Sequence, residues 1–135
     1  MRRRTINDLL ADAQARLRRL TAREAAEACG SGRVLVDIRG AEQLAADGEI
    51  PGALWISRNA LEWRVDPSSG HQHPQLAGHE DEVVLICGEG YQSVLAAATL
   101  HELGFTGVTD VIGGFSAWRA EGLPVRPRDA RASDA

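Results

Sequence analysis

The residues with the most chemistry to offer lie together in EVVLICGEGYQS, positions 82–93. A run of strand-forming residues, Val83 to Ile86, ends at Cys87. Gly88, Glu89, Gly90, Tyr91, Gln92 and Ser93 follow, opening an alanine-rich segment. The thiolate, not the thiol, is the nucleophile, and a cysteine between a strand and a helix meets two influences that favour it. Glycines at the first and third places after it free the backbone to turn several N–H groups around the sulfur, forming an anion nest. The start of the next helix adds partial positive charge. The competing explanation is that Cys87 is a small apolar residue closing a buried strand, since free cysteine is among the most buried residue types. Position alone leaves both open.

Other candidates are weaker. His71, His73 and His79 invite a metal reading, but zinc needs further ligands with supporting partners, and no second cysteine or histidine cluster offers them. No metal or other cofactor is expected. Cys29, near the end of a short helix, is read as core packing, as are Trp55, Trp63 and Trp118. Of the tryptophans, Trp63 is the one placed to line a substrate mouth. Gly113-Gly114 reads as a backbone requirement between strand and helix, because no G-x-G-x-x-G follows.

Positioning these residues falls to alternating strand and helix patterns, which define an α/β domain with a mostly parallel central sheet flanked by helices. Ile6 to about Leu17 carries apolar residues at helical spacing. Thr21 with Glu24 is a capping-box signature for a helix ending near Gly30. Arg33 to Ile38 reads as a buried strand, Ala41 to Ala46 as a short helix and Ala53 to Ile56 as a brief strand. Arg58 to His79 reads as loop with one apolar turn near Leu61 and Trp63. A strand from Val83 to Ile86, a helix to about Leu103, a strand in GVTDVI and a helix ending before Pro124 complete the series. Residues 1–16 form an N-terminal helical extension, 17–127 the domain, and 128–135 a polar tail read as disordered.

A chain of 135 residues suits one core. A net charge of −4 despite fifteen arginines gives no nucleic-acid footprint. The basic start MRRR is not followed by an apolar run long enough for an export signal, and no segment has the apolar length of a membrane span. The compartment expected is the cytoplasm, where Cys29 and Cys87 stay reduced.

Four fragments in order add a resemblance. CGEGYQS with VLAAATLHELGF resembles the active-site loop and following helix of rhodanese-like sulfurtransferases. VLVDIR resembles that family's strand ending in Asp-x-Arg, which assigns Asp37 and Arg39 supporting places. GEIPGA (48–53) resembles its Gly-His-Ile-Pro-Gly-Ala turn, and VIGGFSAWRAEGLPV its closing Gly-Gly-x-x-x-Trp helix. The resemblance spans about Leu17 to Val125. It implies a rhodanese-like fold and a sulfurtransferase in which Cys87 accepts a sulfane sulfur as a persulfide and passes it to a thiol acceptor. The donor would be a small sulfur compound or a protein persulfide. The six-residue loop from Cys87 to Gln92 matches the sulfur-handling length. Related dual-specificity phosphatases and arsenate reductases use a loop one residue longer that ends in arginine, where this chain has Ser93.

Three departures matter. Gln92 stands where active thiosulfate sulfurtransferases commonly have arginine, and glutamine donates hydrogen bonds without the charge. Glu89 puts a negative charge in the loop, which opposes both a thiolate and a dianionic donor. Glu49 replaces the family's histidine. Arg39, Arg58 and Arg64 are candidate anion partners that would restore positive charge. For Arg58 and Arg64 the competing explanation is pairing with Glu62 or Asp66, and for Arg39 pairing with Glu42. The alternative function is a binding or regulatory module that has kept the fold and lost thiosulfate turnover.

Overall fold

The computed structural model describes residues 2–128. Helix α1 (Ile6–Arg16) and helix α2 (Ala22–Gly30) both begin at capping boxes. Thr5 Oγ1 accepts from the Asp8 amide while Asp8 accepts from Thr5 N–H, and Thr21 and Glu24 repeat the arrangement. Each box satisfies two of the amides a helix start leaves without partners.

Strand β1 (Val34–Asp37) leads through helix α3 (Ala41–Asp47) to β2 (Leu54–Trp55). The expected loop of 58–79 is more ordered than its Ser, Gly and Pro content suggests. It holds a 3₁₀ turn at Arg58–Ala60, helix α4 (Leu61–Val65) and a second 3₁₀ turn at Pro74–Leu76. Leu61, Val65 and Leu76 are fully buried, so three apolar anchors tie the segment down. After a third 3₁₀ turn come β3 (Val83–Ile86), helix α5 (Gln92–Glu102), β4 (Thr109–Asp110) and helix α6 (Gly114–Ala120). GVTDVI supplies only two residues of regular strand, with one further parallel bridge between Val111 and Leu20. The tail expected to be disordered lies, apart from Arg128, outside the described residues.

The sheet has the order β2-β1-β3-β4, and each pairing is parallel. A parallel sheet covered on both faces needs strands apolar on both sides, and all four residues of β3 are completely buried. The two-residue alternation of a strand divides them. Val83, Leu85 and Cys87 join the core beneath α4 and α5, whereas Val84 and Ile86 join Phe115 and Trp118 beneath α2 and α6. Cys87 thus faces the α5 side. Because the strands run the same way, their carboxyl ends share one rim, and Asp37, Trp55, Ile86 and Asp110 end there together. No helix among the described residues is long and apolar enough to cross a membrane.

Candidate active site

Cys87, 5 % exposed, directly follows β3, with its sulfur beneath a curled loop. The Gly90 amide donates to Sγ at 3.2 Å and the Ser93 amide at 3.3 Å. The second belongs to the first turn of α5, where helix amides have no partner within the helix. Gly90 has φ +87°, and a Cβ there would lie 2.7 Å from the Gly113 nitrogen, so both conformation and space demand glycine.

Helix α6 holds the loop from below. The Phe115 amide donates to the Cys87 carbonyl at 2.7 Å, and the Ser116 amide to the Gly88 carbonyl at 3.1 Å. Gly113-Gly114 lets α6 approach this closely: a Cβ on Gly114 would stand 2.4 Å from the Cys87 carbonyl oxygen. With the carbonyls drawn outward, amides are left to face the sulfur.

Behind the loop runs a buried polar chain that sequence reading missed. Sγ lies 3.3 Å from Ser93 Oγ, and Ser93 donates to Asp110 Oδ2 at 2.7 Å. Arg19 donates to Asp110 Oδ1 through Nε at 2.8 Å, and through Nη2 to Oδ2 at 3.0 Å and to the Gly90 carbonyl at 2.9 Å. Ser93 and Asp110 are both completely buried. Arg19 reaches them because the Leu20 segment runs along β4 as a short extra edge. A signal existed for Asp110, since a carboxylate inside a buried strand requires a partner. Nothing marked Arg19 among fifteen arginines.

A cavity of about 470 Å³ opens over Cys87, bounded by the loop, by Arg39 and Gln43, and by Arg58 of the segment after β2. Arg39 is buried and pairs with Asp37 at 2.8 Å, not with Glu42. It also donates to the Gly48 carbonyl and stacks on Phe115, 3.8 Å from the ring centre. Asp37 accepts in addition from the Arg39 amide. Arg58 forms a two-pronged bond to Glu62 at 2.9 Å. Among the described residues, Arg39 Nη1 and Arg58 Nε are buried without hydrogen-bond partners.

Other expected residues fall elsewhere. Arg64 donates to the His71 carbonyl and does not line the cavity. Trp63, 55 % exposed, borders a separate hollow with Leu103 rather than the mouth over Cys87. Glu89 sits at the cavity edge, where its carboxylate accepts from Ser116 Oγ of α6 at 2.7 Å. Tyr91 and Gln92 are exposed. His73 is buried and accepts from the Gln75 amide, His79 meets Glu82, and His71 is exposed. Among the described residues no group of three or more His, Cys, Asp or Glu side chains is placed to hold a metal ion. Cys29 is half-buried, and burial pushes its thiol up, partly offset by Arg33. Glu49 is buried at the strap where Arg126 returns. Burial alone would raise its carboxyl, but hydrogen bonds and charge from Arg126 and Arg128 outweigh that and hold it below the usual range.

The sequence profile of the Rhodanese-like domain matches residues 21–121, and the chain belongs to that family. It is 32% identical over 99 residues to thiosulfate sulfurtransferase 16, a chloroplastic protein of Arabidopsis thaliana, covering 71% of this chain and 82% of the relative. A Rhodopseudomonas palustris protein of unknown function, described as a possible tyrosine phosphatase, superposes with a TM-score of 0.83 at 34% identity, covering 93% of this chain and 97% of that one. The polysulfide-sulfur transferase homodimer of Wolinella succinogenes gives a TM-score of 0.67 at 26% identity, over 92% and 88%.

Proposed function

We propose that the protein is a sulfurtransferase in which Cys87 carries sulfane sulfur. The observation that carries this reading is the pair of amides, from Gly90 and Ser93, that converge on Sγ at the floor of the cavity. The Cys87 thiolate attacks the outer sulfur of a donor persulfide, forming an S–S bond as the donor leaves as a thiolate. An acceptor thiolate then attacks the outer sulfur of the Cys87 persulfide, and Cys87 leaves as thiolate. Preorganised amides stabilise the charge at each stage without reorganising.

The cavity's charges favour a neutral or protein-borne persulfide over thiosulfate. Its two arginines are each paired to a carboxylate, Gln92 adds no charge, and Glu89 adds a negative one at the rim. The phosphatase description of the R. palustris protein is the competing reading. It is disfavoured by the six-residue loop and by Ser93 at the seventh place, turned to Asp110. The test is transfer itself: glutathione persulfide with excess dithiothreitol should release sulfide faster with the native protein than with Cys87→Ser. Equal rates would contradict the proposal, and faster hydrolysis of an aryl phosphate than sulfur transfer would favour the phosphatase.

A further inference from the structure

The contact between Cys87 and Ser93 raises a question of proton count. A serine hydroxyl has one proton and two lone pairs. Ser93 Oγ has two neighbours that could claim that proton, Sγ at 3.3 Å and Asp110 Oδ2 at 2.7 Å. Asp110 is bonded by Arg19 at both oxygens, and a carboxylate paired in this way only accepts. The shorter bond to the charged acceptor takes the proton. Ser93 then turns a lone pair toward Sγ, an arrangement that suits S–H as donor and opposes a thiolate.

We propose that Asp110 is a positioning residue that commits the Ser93 proton away from Cys87, so that the serine stabilises the thiol and leaves the thiolate to the loop amides alone. This rests on the reading of Cys87 as the reactive thiol and adds a restraint to it. A thiolate less well stabilised is also a poorer leaving group, so a sulfur placed on Cys87 is retained longer before an acceptor takes it. On ionisation the thiol proton goes to solvent, and the bond between Ser93 and Asp110 does not change. Arg19 keeps the device assembled, because the same guanidinium holds Asp110 and the Gly90 carbonyl.

The sign of one substitution decides the matter. If Ser93 donated to sulfur, Ser93→Ala would remove a stabilising bond and slow alkylation of Cys87 at neutral pH. With the proton committed to Asp110, Ser93→Ala removes an opposing lone pair, and alkylation by iodoacetamide should rise roughly three- to tenfold, with the pH–rate midpoint moving down. The variant loses one oxygen, and Arg19 still bonds both oxygens of Asp110. Asp110→Ala removes the acceptor and frees the Ser93 proton, so in that background Ser93→Ala should instead slow alkylation. This reversal of sign is something a merely structural role would not produce. The groups bordering the cavity, Arg39, Arg58, Glu89 and Tyr91, are the same in all variants. Slower alkylation in Ser93→Ala, or the same sign in both backgrounds, overturns the proposal. Should Asp110→Ala fail to fold, the sign in the otherwise native chain decides alone. Alkylation reads the thiol itself, so failure here is distinct from failure of sulfur transfer, which would appear as no sulfur uptake by Cys87.

Discussion

Gly114→Ala should damage the site through the backbone alone. Gly114 has φ +58°, a left-handed conformation that costs an alanine roughly 1–2 kcal/mol. The new Cβ would also stand 2.4 Å from the Cys87 carbonyl oxygen and 2.8 Å from both the Gly88 carbonyl oxygen and the Gly90 nitrogen. All three atoms are backbone, so no side chain can swing aside. Overpacking of this kind adds roughly 1–3 kcal/mol. The total, about 2–5 kcal/mol, corresponds to a fall in Tm of roughly 8–20 °C at about 4 °C per kcal/mol for a domain near this size. Gly52→Ala is the control, because Gly52 has φ +85° with open space around its would-be Cβ, leaving only the strain. Thermal unfolding of both variants separates the terms, and Cys87 alkylation reports the loop. A Gly114→Ala protein that melts no lower than Gly52→Ala, with native labelling, would refute the claim that α6 positions the loop.

Other consequences can be checked in parallel. Cys87 should alkylate faster than Cys29 at neutral pH, because burial pushes the Cys29 thiol up; peptide mapping reads the order. Gln92→Arg should raise thiosulfate turnover roughly tenfold to a hundredfold, the value of one charge-assisted contact of about 1.5–3 kcal/mol. Glu89→Gln should improve thiosulfate use more than use of a neutral persulfide donor, since a carboxylate that accepts from Ser116 at the cavity edge keeps its charge; equal effects on both donors in steady-state rates would show that the charge does not reach the sulfur. Glu49 has a lowered folded pKa, so its contribution is present above the ordinary glutamate value near pH 4.3 and is lost as pH falls through the lower folded value. Melting curves of native protein and Glu49→Gln should therefore differ above that range and converge below it.

What could be read in advance was local. The cysteine loop, the Thr21–Glu24 capping box and β3 depend on residues within a few positions of one another, and each stands where the residue pattern put it. The segment after β2 misled because three buried anchors outweigh its polar composition, and Trp63 and Arg64 point away from the cavity their spacing suggested. The proton arrangement behind Cys87 was out of reach. It depends on Arg19 meeting Asp110 across 91 residues, a contact made by the edge along β4 and not by any motif. Glu89 was ambiguous for a related reason, since its partner Ser116 lies 27 residues away.

Intact mass spectrometry after exposure to a sulfane-sulfur donor tests the central claim most directly. The native protein should gain about one sulfur atom, lose it when a thiol acceptor is added, and show neither change as Cys87→Ser. A native protein that gains no sulfur, or a Cys87→Ser protein that gains it equally, would contradict the assignment of Cys87 as the sulfur carrier.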